Sequence, residues 1–288
     1  MFKHCVVAGG TGEVGRMFAA HLAASGATVR CVDPAASGPG ALADDIRAPG
    51  PAAAGELSAA DLVLLAVPEP VALEAIGPVT RLMRADALFA DTLSVKAGVA
   101  ERLRALAPGI QAVGLNPMFA PSLPLPGRPV AAATVTDGPA VRAFLALVAQ
   151  WGARVVEVSA REHDTLTATQ QAATHAAVLA FGLALKELGA DVGALRATAP
   201  PPHRTLLELL ARITSGAPEV YWDVQAGNPH AQDARRAVGH GLQRLGRAVA
   251  SGDESQFEAL FEELRATLGE HHRGELAAAC AESFARLR

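Results

Sequence analysis

The run Gly10-Thr11-Gly12-Glu13-Val14-Gly15 constrains this chain more than any other stretch. It follows Phe2 to Ala8, an apolar segment with the length and β-branched content of a buried parallel strand. It enters Arg16 to Ala23, whose apolar spacing predicts a helix. Glycines at G-x-G-x-x-G spacing between a strand and a helix have a physical purpose. The first makes the turn, the second lets backbone approach a pyrophosphate, and the third admits close helix packing, while free N–H groups at the helix start hold the anion. Thr28 to Val32 reads as a second strand ending at Asp33, about 20 residues on, where a carboxylate binds adenosine ribose hydroxyls. A dinucleotide-binding βαβ unit follows, with Gly10, Thr11, Gly12, Glu13, Val14, Gly15 and Asp33 as cofactor contacts and Val67 and Pro68, closing a later strand, beside them. Asp33 repels a 2′-phosphate, and Pro34-Ala35-Ala36 brings no arginine to neutralise one, so NAD is expected over NADP.

Further apolar runs at Asp61 to Pro68, Ala87 to Asp91, Gln111 to Leu115, Val130 to Val135 and Arg154 to Val158 alternate with helical stretches. That alternation predicts an α/β fold with a mostly parallel, doubly wound Rossmann-type sheet over 1–159. Residues 35–54, rich in Ala, Gly and Pro, read as a surface connection. After Arg161 strand signals stop, and 160–288 is expected to form an all-helical domain. There Phe257, Leu260, Phe261, Leu264 and Leu268 recur at helical spacing behind a Ser255/Glu258 capping box, as core or as a subunit interface.

Composition excludes other classes. With net charge −4 and no basic block, nucleic acid finds no electrostatic footprint, and 4% aromatic residues leave few stacking platforms. Cys5, Cys31 and Cys280 lie in no metal-ligand spacing, and the first two fall in adjacent predicted strands as thiols of a reducing compartment. His163, His230, His240, His271 and His272 have no partner spacing that argues for a metal. With no signal-peptide pattern and no apolar run of about 18 residues, the expectation is a cytoplasmic protein without a membrane partner.

Three later segments carry a resemblance. Asn116-Pro117-Met118-Phe119-Ala120-Pro121 is similar to the His-Pro-Met-Phe-Gly-Pro-like run of prephenate and arogenate dehydrogenases, with Asn116 in the histidine's place. Asp91-Thr92-Leu93-Ser94-Val95-Lys96 resembles that family's Asp-x-x-Ser-x-Lys run. Glu162-His163-Asp164, followed by Gln171-Ala172 and His175, resembles its Glu-His-Asp…Gln-Ala…His helix. Beyond them, His203 to Glu208, with Arg212 and Pro218 to Tyr221, is similar to the helix supplying a carboxylate-binding arginine. The resemblance implies an N-terminal Rossmann domain, a C-terminal helical domain that makes a homodimer, and NAD-dependent oxidative decarboxylation of a small cyclohexadienyl dicarboxylate.

It also implies roles. The family's histidine accepts the hydrogen bond of a ring hydroxyl, whereas an amide cannot take up a proton at neutral pH. A ring amine needs no such base, because its own lone pair supports the carbon that loses hydride. Asn116 therefore points to the family branch that converts 4-amino-4-deoxyprephenate to 4-aminophenylpyruvate for specialised metabolites. Ser94 is expected either to bond the ring heteroatom or to cap the next helix, and Lys96 to steer carboxylates or to be a surface residue. His175 and Gln171 are candidate substrate contacts, His175 having a core histidine as its alternative. Arg204 is the candidate fork for the side-chain carboxylate, with Arg212 as fallback. Ordinary prephenate or arogenate oxidation, 3-hydroxyacid dehydrogenation and a catalytically inactive NAD-binding regulator remain the other functional readings.

Overall fold

A parallel strand covered by helices on both faces needs apolar side chains at consecutive positions, and Leu62–Leu65 is buried at every one. The computed structural model describes residues 2–286. Its strands are β1 (His4–Ala8), β2 (Thr28–Val32), β3 (Ala41–Leu42), β4 (Leu62–Leu65), β5 (Leu88–Asp91), β6 (Gln111–Pro117), β7 (Pro129–Thr136) and β8 (Arg154–Glu157). They form one sheet in the order β3-β2-β1-β4-β5-β6-β7-β8, parallel throughout except between β6 and β7. β3 and the start of a helix occupy residues 35–54, which the sequence reads as plain connection: two residues of strand are too short to leave a periodic signal.

The chain divides into two compact units, Met1–Thr167 with Trp222–Pro229, and Ala168–Tyr221 with His230–Arg288. Strands end at Glu157, near the expected change of class at 159/160, but the first unit runs on to Thr167 and includes residues 222–229. Its helices are α1 (Glu13–Ala24), α2 (Pro51–Ala59), α3 (Glu69–Leu82), α4 (Ala97–Leu106), α5 (Pro139–Gln150) and α6 (Ala160–Thr167). One sheet face packs Val6, Ala8, Val63, Leu65 and Phe89 against Leu57, Ile76, Val79 and Leu103 of α2, α3 and α4. The other packs Cys5, Val7, Leu62, Leu64 and Leu88 against Phe18 and Leu22 of α1 and Phe144 and Val148 of α5. Successive residues of a strand thus enter opposite cores, the double winding expected from the sequence.

The second unit is helical. A π-helical turn (Ala168–Ala173) leads into α7 (Thr174–Glu187), then α8 (Val192–Thr198), α9 (Pro201–Thr214), α10 (Pro218–Trp222, whose last residue belongs to the first unit), α11 (Ala231–Ala250), α12 (Glu254–Leu268) and α13 (Glu270–Arg286). α12 is capped by Asp253, whose carboxylate accepts from Ser255 N at 3.0 Å, two residues earlier than the expected Ser255/Glu258 box. An aspartate at the residue before the helix reaches the same orphan N–H and takes the cap first. The stripe Phe257, Phe261, Leu264 and Leu268 lies exposed on α12, so it is not core of the single chain. No described helix is long and apolar enough to cross a membrane.

Candidate active site

The carboxyl ends of parallel strands are where a doubly wound sheet binds ligands, at the point where strand order reverses. Here that point lies between β1 and β4. The turn after β1 is made by Gly9, at φ 79°, rather than by Gly10 as the motif's spacing suggests. A Cβ on Gly9 would fall 2.1 Å from Ala66 O at the end of β4, and one on Gly10 would fall 2.6 Å from Cys31 Cβ on β2. Gly15 lies against Gly9 O, where a Cβ would come to 2.1 Å, which is the close helix approach the motif exists for. Gly12 caps α1 without a side chain, so Glu13 and Val14 open the helix with backbone N–H groups available to an anion. Thr11 Oγ1 donates to Asp33 Oδ2 at 2.6 Å, and Ala35 N donates to Asp33 Oδ1 at 2.9 Å. Val67 and Pro68 form the neighbouring turn from β4 to α3. These residues fit a dinucleotide, whose backbone-lined cradle any side chain at Gly9, Gly10 or Gly15 would fill.

Asn116 lies near the end of β6 and is buried at 3% exposure. Its Nδ2 is 3.0 Å from His163 Nε2, and His163 Nδ1 is 2.8 Å from Asp164 Oδ1. Asp164 also accepts from Lys96 N at 2.8 Å and Ala97 N at 2.9 Å, so a side chain on α6 caps α4. Burial alone would raise the Asp164 carboxyl, but the His163, Ala97 and Lys96 N–H groups outweigh it and hold it below the ordinary value. Burial, helped by the Lys96 charge, keeps His163 below its ordinary value despite Asp164. An ionised carboxylate accepts only, so His163 carries its proton on Nδ1, and its Nε2 accepts from the Asn116 amide.

Lys96 is not a surface residue. Its ammonium is buried in an ion pair with Asp91 and donates to Leu115 O at 2.7 Å, one residue before Asn116. Burial lowers its pKa, opposed by Asp91. Gly114 makes room for this pair, since a Cβ there would come within 2.7 Å of Lys96 Cδ and 2.8 Å of Asp91 Oδ2. Ser94 sits half-buried in the bend between β5 and α4 and does not cap α4; Asp164 does.

In the second unit, Gln171 lies in the π-helical turn, a device frequent at functional sites, and His175 follows at the start of α7. Gln171 Oε1 and His175 Nδ1 are buried without a hydrogen-bond partner among the described residues. Such orphans are costly unless a ligand satisfies them. The His175 ring meets Tyr221 edge to face at 5.0 Å, and its pKa is lowered by burial and by the charge of Arg212. Arg204 instead pairs with Glu208 at 2.9 Å, one turn along α9. Possible metal ligands group among the described residues at His271, His272 and Glu275, all exposed on α13.

The family model for the prephenate dehydrogenase nucleotide-binding domain matches residues 43–156, and that for the prephenate dehydrogenase dimerization domain matches 159–263. The chain belongs to the prephenate dehydrogenase family. A Streptomyces pristinaespiralis protein named 4-amino-4-deoxyprephenate dehydrogenase is 62% identical over 291 residues, spanning 100% of this chain and 98% of that one. The T-protein of Enterobacter agglomerans is 30% identical across 92% of this chain and 68% of its own. The fold is shared with prephenate dehydrogenase from A. aeolicus, solved with hydroxyphenyl propionate and NAD+, at a TM-score of 0.74 and 17% identity over 93% of this chain and 97% of that one. Within this prephenate dehydrogenase architecture, sequence spacing passed over His163 and Asp164 as site residues. Their signal was present as the Glu-His-Asp run, but neighbouring polar residues opening a helix read equally well as a solvated face.

Proposed function

We propose that this chain is an NAD-dependent dehydrogenase that converts 4-amino-4-deoxyprephenate to 4-aminophenylpyruvate and CO2, working as a homodimer. The observation that carries this reading is Asn116 in the place of a proton-accepting histidine, with its amide nitrogen already committed to His163. The carbonyl oxygen is then the group left to meet the substrate, and a carbonyl accepts an N–H without needing to become charged. Likeness over the whole length to the Streptomyces pristinaespiralis protein supports the same substrate, and the dimerization-domain match supports the dimer.

The chemistry asks little of the protein beyond orientation. NAD, held by the glycine loop and Asp33, would supply the acceptor for the hydride lost from the ring carbon bearing nitrogen. The nitrogen lone pair, free once any ammonium proton has passed to water, supports that carbon; the electrons of the breaking C–CO2 bond then complete the aromatic ring. Asn116 holds the N–H direction, and Ser94, half-buried after β5, offers a hydroxyl oxygen as a second acceptor for the same amine. Within the second unit, Gln171, His175 and Arg212 form their own candidate group for carboxylate recognition. Arg212 takes this role from Arg204 because it is the arginine whose charge reaches His175, while Arg204 is engaged by Glu208. Lys96 commits its ammonium to the Asp91 carboxylate and the Leu115 carbonyl, which makes it a positioning residue for the end of β6.

The test is NAD reduction followed with 4-amino-4-deoxyprephenate, prephenate and arogenate side by side. Preference for the amine supports the assignment. Equal or better turnover of prephenate or arogenate returns the chain to ordinary tyrosine biosynthesis, and turnover of any one of the three excludes an inactive NAD-binding regulator.

A further inference from the structure

Asn116 is a two-faced side chain, with a donor and an acceptor about equally placed, and which face meets the substrate depends on what holds the other. Nothing in the Asn116 side chain itself makes that choice. The chain of contacts behind it does. Asp164 is fixed by two backbone N–H groups at the start of α4, 2.8 and 2.9 Å from its oxygens, and so presents an acceptor to His163 Nδ1 at 2.8 Å. A histidine that donates from Nδ1 while neutral has a bare lone pair at Nε2. That lone pair, 3.0 Å from Asn116 Nδ2, accepts the amide N–H. All three residues are buried, so water is not at hand to satisfy the alternatives. Turning the amide over would set a carbonyl oxygen against the Nε2 lone pair, losing a hydrogen bond and gaining a repulsion.

We propose that His163 is a positioning and specificity-determining residue: locked by Asp164 as the Nδ1–H tautomer, it orients Asn116 so that the amide turns its carbonyl acceptor, and not its NH2 group, toward the reacting ring substituent. This rests on the reading that Asn116 faces that substituent. It assigns His163 a task that packing alone would not require. A site with the amide reversed would point an NH2 at the substrate nitrogen and oppose its N–H groups. The orientation of Asn116 is therefore set three residues deep, from the α4 N-terminus through Asp164 and His163.

Two variants and one spectrum test it. His163→Phe keeps ring volume but removes the acceptor, and should lower kcat/KM for 4-amino-4-deoxyprephenate by about 10²-fold through misorientation, with KM for NAD unchanged. His163→Gln can place a carbonyl oxygen where Nε2 lies and should recover most of that loss. A purely structural His163 predicts the reverse order, with the isosteric phenylalanine near wild type and glutamine worse. That order would overturn the proposal. Nitrogen chemical shifts of His163 in the labelled wild-type protein, recorded with NAD and no substrate, should show Nδ1 protonated and Nε2 bare. An Nε2-protonated ring would overturn the proposal independently, even if neither variant folds. Wild-type preference for prephenate together with the Nδ1–H tautomer would remove the amine-substrate reading and leave the orientation by His163 standing.

Discussion

The Thr11 hydroxyl donates to Asp33 Oδ2 over 2.6 Å and ties the glycine loop to the end of β2. The carboxylate expected to select the cofactor's ribose is thereby held in place, with lone pairs left over for the ribose hydroxyls. A 2′-phosphate there would meet a fixed negative charge. NAD should be used with a higher kcat/KM than NADP, and Asp33→Ser should narrow the gap by weakening NAD and relieving NADP. Comparable kcat/KM values for the two cofactors in the wild type would refute this.

Replacing Asn116 by histidine restores the base that an alcohol substrate needs. General-base assistance contributes about 10²–10⁴-fold, so Asn116→His should raise turnover of prephenate, by less than that full range because the surroundings are built for an amide. The new imidazole would also face His163 Nε2, which favours a donor from the introduced ring. Turnover of the amine should fall in the same variant. Steady-state assays of both proteins on both substrates check it, and an unchanged preference would count against Asn116 as the discriminating residue.

The two arginines of α9 should separate cleanly. With Arg212 as the proposed carboxylate ligand, Arg212→Ala should cost about 1.5–3 kcal/mol in kcat/KM, chiefly through a higher KM for substrate, with NAD affinity kept. Arg204→Ala breaks an exposed ion pair with Glu208 and should change kcat/KM and stability by less than about 1 kcal/mol. A raised KM in the Arg204 variant and none in the Arg212 variant would reverse the assignment.

Stability should depend on pH through the same buried chain. Burial keeps His163 neutral below its ordinary 6.5, while the unfolded chain protonates it there, so the unfolded state binds more protons and stability falls as pH drops below 6.5. Asp164 acts in the same direction at lower pH: its stabilisation is complete above 3.8 and is lost as pH falls through its depressed folded value. His163→Phe should flatten the decline below 6.5 by up to about 1.4 kcal/mol per pH unit, the linkage of one proton. His21 and His175, also lowered by burial, keep their share of the slope. Urea midpoints measured across this range for both proteins decide it, and parallel slopes would show that His163 titrates alike in the folded and unfolded states.

What could be read from the chain alone was what is local along it. Strand, glycines, helix and Asp33 follow one another at fixed spacing, and apolar alternation announced the parallel sheet, because both patterns arise from the geometry of a single element or of consecutive ones. Asn116 stood out for a similar reason, as one changed residue in a contiguous run. What the tertiary structure decided was everything that depends on residues far apart meeting. Gly9 rather than Gly10 turns the loop because the end of β4, 57 residues later at Ala66, presses on it. Lys96 is buried because Gly114 on the neighbouring strand leaves space for it. Asp164 caps a helix beginning 67 residues earlier, and His163 reaches Asn116 across 47. No spacing in the sequence encodes those distances, since they are set by strand order and helix packing; the residue types that can hold a proton or a carboxylate are written in the chain, but their pairing exists only once the sheet has assembled.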